Sequence, residues 1–180
     1  MLLVVDNGSI YTQNLIDFLM EKEISFEKIS PNELDLKSLE KYDSFILSGR
    51  RKNEKKINQI NSKVILHSIQ NNKKLLGICY GAEILSLTLG GTIRKLETNQ
   101  KGDEEIFIKK ENELAPEKIK VFESHGFEIS KLPDILIPIA NSKNCKYEII
   151  QYNEKFIFGT QFHPEMTSDG KDLIHKFCSL

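Results

Sequence analysis

The sequence predicts an α/β fold, a doubly wound and mostly parallel sheet flanked by helices, with extra strands in the C-terminal half. Three observations carry that expectation. Short apolar runs without polar alternation recur through the first half of the chain, as in a parallel sheet covered on both faces. Each run is followed by a segment of helical periodicity, which is the pattern of βαβ units. Gly or Ser-Gly closes several of the runs, marking the strand ends at which ligands bind in such sheets.

The elements follow in order. Leu2–Val5 reads as a buried first strand, and Asp6-Asn7-Gly8-Ser9 as a turn. Ile10, Leu15, Ile16, Leu19 and Met20 then recur at helical spacing. Residues 24–29 alternate and read as a second strand. Ser30-Pro31-Asn32 breaks the chain, and a short helix follows over 34–39. Ser44–Leu47 is the third strand, closed by Ser48-Gly49. Lys55–Gln70 is a helix with Ile57, Ile60, Val64, Ile65 and Ile69 on one side. Residues 75–78 form the fourth strand and 82–89 a helix ended by Gly90-Gly91. The second half is richer in strands, expected at 92–96, 105–109, 119–123, 135–140, 147–151 and 156–161, with a closing helix at 169–177. The length of 180 residues fits a single domain, 1–180.

Composition narrows the function. With 25 basic and 26 acidic residues the net charge is −1, so nothing draws the chain toward nucleic acid or an acidic membrane. No run approaches the ~20 apolar residues of a membrane span. The N-terminus has no basic segment and reaches Asp6 at once, unlike a secretory signal. Cys79, Cys145 and Cys178 are an odd count without metal-ligand spacing. A reducing, cytoplasmic setting fits them. Cys145 and Cys178 read as small buried apolar groups. No metal site and no phosphate-binding loop is expected.

The chemistry concentrates at Gly77-Ile78-Cys79-Tyr80-Gly81. A strand running into Gly-x-Cys-x-Gly and then a helix is the form of a nucleophile elbow, a sharp turn with a reactive side chain at its apex. Its glycines are expected where side chains have no room. A cysteine at a helix N-terminus is expected to have its thiolate favoured. A thiol nucleophile needs a base, and the base an orienting group. Phe162-His163-Pro164-Glu165 supplies both. A buried strand would deliver His163, and proline would hold the chain extended so that His163 and Glu165 project together.

With these motifs the chain resembles the class I (triad) glutamine amidotransferases, whose glutaminase domains have a flavodoxin-like fold, over essentially its whole length. The resemblance implies that Cys79 attacks the carboxamide of glutamine, that His163 protonates the departing ammonia, and that Glu165 orients His163. Tyr80 after the nucleophile, Glu123-Ser124-His125-Gly126, the segment Ala140-Asn141-Ser142-Lys143-Asn144-Cys145 and the stretch from Gly159 to Thr167 are similar to the GMP synthetase branch. The length is similar to its stand-alone archaeal subunit. That likeness implies glutamine as substrate and, as partner, a separate ATP-pyrophosphatase synthetase subunit, which would hold ATP and Mg and aminate XMP. No cofactor is expected on this chain. Gly49, Glu83, Ser124, Gly126 and Phe127 match substrate-binding positions. The N–H groups of Tyr80 and Arg50 match the oxyanion donors. Ser124-His125-Gly126 is expected as a turn; His125 serves either a structural hydrogen bond or subunit signalling. His67 and His175 read as surface or packing residues on helices.

Two positions depart from the family pattern. Glu83 stands where glutamine is usual, four residues after the nucleophile. A carboxylate there could bind an α-ammonium and would repel an α-carboxylate. It also resembles γ-glutamyl hydrolases. Arg50 stands where Ser-Gly-Gly-Pro has its second glycine, and a left-handed backbone there would strain arginine. Arg50-Arg51-Lys52 reads as a solvated loop, against the alternative of a phosphate or acidic-surface site. Three functions follow: the glutaminase subunit of a GMP synthetase-like pair, a hydrolase of γ-glutamyl compounds or amidotransferase for another acceptor, and a binding or regulatory module with weakened catalysis.

Overall fold

The computed structural model describes residues 1–153 and 155–180. A nine-stranded mixed sheet forms its centre. The strands are β1 (Leu2–Val5), β2 (Phe26–Ile29), β3 (Ser44–Leu47), β4 (Lys74–Ile78), β5 (Thr92–Ile108), β6 (Lys118–Lys131), β7 (Leu136–Asn141), β8 (Ile149–Tyr152) and β9 (Ile157–Thr160). The helices are α1 (Thr12–Glu21), α2 (Lys55–Gln70), α3 (Tyr80–Thr88) and α4 (Ser168–Ser179), with a 3₁₀ segment at Leu36–Lys41.

The sheet order is β2-β1-β3-β4-β9-β8-β7-β5-β6. The first five strands in that order pair in parallel, and the rest pair antiparallel. Alternate residues of each parallel strand feed opposite cores. Leu2, Val4, Ile46, Leu76 and Ile78 pack with Leu15, Leu19, Leu173 and Phe177 under α1 and α4. Leu3, Val5, Phe45, Leu47 and Leu75 pack with Val64, Ile65, Ile84 and Leu85 under α2 and α3. Two-sided burial explains why these strands lack polar alternation. No described helix is long and apolar enough to cross a membrane.

Three sequence expectations need correction. Residues 92–96 and 105–109 belong to one continuous strand, β5, whose register against β6 shifts between Lys95 and Gln100. Its largely exposed middle gave no apolar signal. Ser124-His125-Gly126 is not a turn: it lies inside β6, paired with Lys101 and Gln100 of β5. Ile10 and Met20, expected on the buried side of α1, are 68% and 65% exposed. The turn before α1 directs Ile10 outward, and Leu15, Ile16, Phe18 and Leu19 carry the packing.

Candidate active site

Cys79 stands one residue beyond β4, at the start of α3, with φ +50° and ψ −102°. That left-handed backbone strains any residue other than glycine, and such strain gathers at functional sites. The two glycines beside it are forced by space. A Cβ on Gly77 would lie 2.4 Å from the Gly81 carbonyl, and one on Gly81 2.4 Å from the Leu47 carbonyl. Backbone on both sides leaves neither residue room to yield. The Cys79 N–H donates to the Thr160 carbonyl at 2.7 Å, tying the elbow to β9.

His163 follows β9 and is fixed from several sides. Its N–H donates to the Phe122 carbonyl at 2.9 Å, and its ring stands edge-on to Tyr11 at 4.6 Å. Its Nδ1 meets Glu165 Oε1 at 2.8 Å, with both side chains buried. The link between them is not the extended chain expected. Pro164–Met166 is a 3₁₀ turn, closed by Met166 N–H donating to the His163 carbonyl at 3.2 Å. Proline at the first position of a helical turn fits its fixed φ. An ideal Cβ on Gly49, at the end of β3, would come within 2.9 Å of His163 Cε1. Since β4 lies between β3 and β9, the imidazole reaches across the end of β4, where Cys79 sits. Gly49 is therefore the position at which glycine is spatially required. Arg50 has no left-handed φ and adopts its place without strain.

Cys79, Tyr80, Glu83, Arg50, Arg51, Asn53, Ser124, His125, Gly126 and Phe127 line a cleft of about 240 Å³. It is smaller than the ~300 Å³ lower bound for drug-sized ligands, which suits a molecule of amino-acid size. Four of the five expected substrate-binding residues thus share one cleft with the thiol, and Gly49 stands behind it against His163. The Tyr80 N–H faces the sulfur and favours its ionisation. The expectation that the helix terminus makes Cys79 a ready thiolate is overturned, because burial raises its pKa well above the usual thiol range. The carboxylates of Glu83, Glu123 and Glu165 raise it further.

Arg50 is not part of a solvated loop, although Arg51 and Lys52 are exposed. Its guanidinium lies 4.2 Å from the centre of the Tyr80 ring. Nη1 donates to Asn53 Oδ1 at 2.8 Å and to Asn58 Oδ1 at 3.2 Å, while Nη2 stands 3.9 Å from Glu83 Oε2. The Tyr80 hydroxyl donates to the same Asn58 at 2.7 Å, and burial pushes its pKa up to about 12. Burial likewise raises the Glu83 pKa, with Arg50 pulling the other way. The two departures from the family pattern are thus an ion pair.

Sequence reasoning missed Tyr11, Asn53, Asn58 and Gln161. The Tyr11 hydroxyl donates to Ser124 Oγ at 3.1 Å, and Gln161 Nε2 donates to Glu83 Oε1 at 3.4 Å. Gln161 had a signal, two positions before the histidine on a buried strand end; the others had none. His125 Nδ1 donates to the Phe127 carbonyl at 2.8 Å, and Nε2 faces Glu123 Oε2 at 3.0 Å. Burial favours the neutral ring, but the Glu123 carboxylate and the Phe127 carbonyl outweigh it and raise the His125 pKa.

Known proteins resemble this chain in sequence and in fold. The family model for glutamine amidotransferase class-I matches residues 3–178. A glutamine-hydrolyzing GMP synthase subunit from Methanocaldococcus jannaschii is 32% identical, with 100% of this chain and 97% of that protein aligned. The crystal structure of a protein described as a putative GMP synthase subunit from Thermoplasma acidophilum superposes with a TM-score of 0.87 at 28% identity, covering 99% of this chain and 92% of the other. A glutamine amidotransferase from Thermotoga maritima shares the fold, with a TM-score of 0.80 at 21% identity over 97% of this chain and 80% of its own.

Proposed function

The chain belongs to the class-I glutamine amidotransferases, and from that premise we propose that it is the glutaminase subunit of a two-subunit GMP synthase. The observation that carries this reading is a strained Cys79 just beyond β4, with a His163 held by Glu165 just beyond the neighbouring strand β9 and its imidazole packed against Gly49 at the end of β3.

The chemistry follows from the geometry. The resting thiol keeps its proton. When glutamine occupies the cleft, His163 takes that proton as the sulfur attacks the γ-carboxamide carbon. The oxyanion that forms is met by the Tyr80 N–H and by the backbone N–H of Arg50; each such donor is worth about 10²–10³ in rate. His163 then gives the proton to the leaving nitrogen, and ammonia departs from a γ-glutamyl thioester. Water, activated by the same imidazole, attacks the thioester and releases glutamate and the thiol. Glu165 fixes the tautomer and stabilises the imidazolium.

The names of the relatives and the match in length support a separate synthetase partner. That partner would be an ATP-pyrophosphatase subunit holding ATP and Mg, and it would use the ammonia to convert XMP to GMP in the cytoplasm. Glutaminase activity is expected to be low alone and to rise on docking, which prevents loss of free ammonia. Glu83 favours one second reading, hydrolysis of γ-glutamyl compounds.

The test is hydrolysis of glutamine by the purified chain, alone and with the ATP-pyrophosphatase subunit from the same genome, together with labelling of Cys79 by diazo-oxo-norleucine. The reading expects partner-stimulated turnover and labelling confined to Cys79. Absence of both, with the partner present, overturns it in favour of a regulatory module. Turnover of γ-glutamyl peptides but not of glutamine favours the hydrolase.

A further inference from the structure

Glu165 holds the His163 ring through Nδ1 alone. One hydrogen bond fixes a point and leaves the imidazole free to swing about it, so a second contact is needed. Tyr11 provides one. Its ring stands at 61° to the imidazole with centroids 4.6 Å apart, and at 76° to Phe122 at 5.7 Å. Both are the edge-to-face arrangements that aromatic pairs favour. Tyr11 is in turn held by the β1–α1 turn that carries it. Buried Asn7 donates its N–H to Ser48 Oγ at 2.9 Å and its amide to the Ser48 carbonyl at 3.0 Å. Asn7 and Asn61 of α2 exchange amide bonds of 3.1 and 2.7 Å. Gly8 bridges to Arg50, and the Tyr11 N–H donates to Ser9 Oγ at 3.1 Å. A turn tied to the end of β3 and to α2 thus presents the phenol as a fixed wall. Its hydroxyl then donates to Ser124 Oγ in β6 at 3.1 Å.

We propose that Tyr11 is a positioning residue for the reaction at Cys79: its ring is the backstop of the His163 imidazole, and its hydroxyl ties that backstop to Ser124 on the cleft wall. This rests on the reading of His163 as the base of the triad and adds the group that keeps it aimed. The imidazole must take a proton from sulfur and then deliver it to the leaving nitrogen. Neither transfer passes through Tyr11, yet both need the ring in one place. Misplacement by about 1 Å costs about 10²-fold in rate.

The two parts of the side chain act on different steps, so they separate. Phenylalanine keeps the ring and loses the hydroxyl; leucine loses both. The ring acts on the base and therefore on kcat. The hydroxyl acts on Ser124, which lines the cleft, and therefore on substrate binding. Tyr11 stands at the N-cap of α1 but makes no side-chain cap bond, and it is only partly buried. Neither substitution removes a cap or leaves a large void, so both variants are expected to fold. A residue that merely packed would lower stability in Y11L and leave the kcat of the folded protein unchanged.

The test compares wild type, Y11F and Y11L in steady-state glutamine hydrolysis with the partner present. Y11L should lose at least about 30-fold in kcat. Y11F should keep kcat within about threefold of wild type and raise KM by about three- to tenfold, the range for one neutral hydrogen bond. A second readout needs no turnover: the ring-nitrogen chemical shifts of His163 in the purified chain, which report where the imidazole proton sits. Wild type and Y11F should show one tautomer with Nδ1 protonated toward Glu165, and Y11L a mixture. Should Y11L not fold, Y11M carries the same expectations. A leucine or methionine variant with kcat within about threefold of wild type, a Y11F protein that loses as much kcat as Y11L, or an unmixed tautomer in Y11L would each overturn the proposal. A wild-type protein that never hydrolyses glutamine loses the proposed function, and the nitrogen shifts alone then decide whether Tyr11 holds His163.

Discussion

The two ends of the cleft are built by different means. The reacting end is set by backbone. A Cβ on Gly77 or Gly81 would come within 2.4 Å of neighbouring backbone, Cys79 takes a strained turn, and Gly49 leaves room for His163. The far end is set by side chains, with Arg50, Glu83, Asn53, Asn58 and Gln161 joined by ion-pair and hydrogen-bond contacts of 2.8–3.9 Å. Backbone interlocking fixes geometry and tolerates no substitution. Side-chain charge can change in pairs and so can adjust what is bound without disturbing where the chemistry occurs.

That contrast yields a graded set of expected effects. Removing the thiol in C79A should lower glutamine turnover by at least about 10⁴-fold, as seen when a triad nucleophile is lost; steady-state kinetics with the partner present checks it. Next comes G49A. Its new methyl would press on His163 at 2.9 Å, and misplacement on that scale costs about 10²-fold in kcat. Thermal unfolding should change little, because the displaced atom belongs to a side chain. A G49A protein with full activity would break the claim that backbone spacing governs the reacting end.

Proton affinity sharpens the comparison. Ligand-free Cys79 should react with iodoacetamide at pH 7.5 at least about tenfold more slowly than an ordinary thiol, because less of it is thiolate. Its rate should climb as pH rises through and beyond the ordinary thiol range. E83Q removes one of the charges that raise the thiol pKa, so alkylation should speed up several-fold at a given pH. A rate unaffected by E83Q would mean that the two ends are electrostatically separate.

The smallest effect lies behind the cleft. Burial, and then the charge of Glu123, raise the pKa of buried Glu148. The folded state therefore keeps the Glu148 proton where the unfolded chain has lost it. Wild-type stability is thus penalised increasingly as pH rises above the unfolded value, near ~4.3. Relative to wild type, E148Q should gain stability between pH 5 and pH 8, by about 1 kcal/mol or more, as measured by urea unfolding at both pH values.

The sequence disclosed the reacting end because its signals are local. Gly-x-Cys-x-Gly and His-Pro-Glu each lie within five residues, and strands buried on both faces read directly from their apolar runs. The far end stayed hidden because its logic is not local. Arg50 and Glu83 looked like separate departures until the end of β3 and the start of α3 brought them together. The same limit explains the reversed proton affinity of Cys79. A helix terminus can be read from one segment, whereas Glu83, Glu123 and Glu165 converge from α3, β6 and the turn after β9. The Ser124-His125-Gly126 segment misled for a related reason. Its composition is that of a turn, but pairing with β5 holds it as strand and places Ser124 and His125 at the cleft.

The most direct measurement is mass spectrometry of the Cys79 peptide after rapid acid quench of the enzyme with glutamine and its partner. The account predicts a γ-glutamyl adduct on Cys79, absent in C79A and absent when glutamine is omitted. No adduct on Cys79 while ammonia is still released would contradict it.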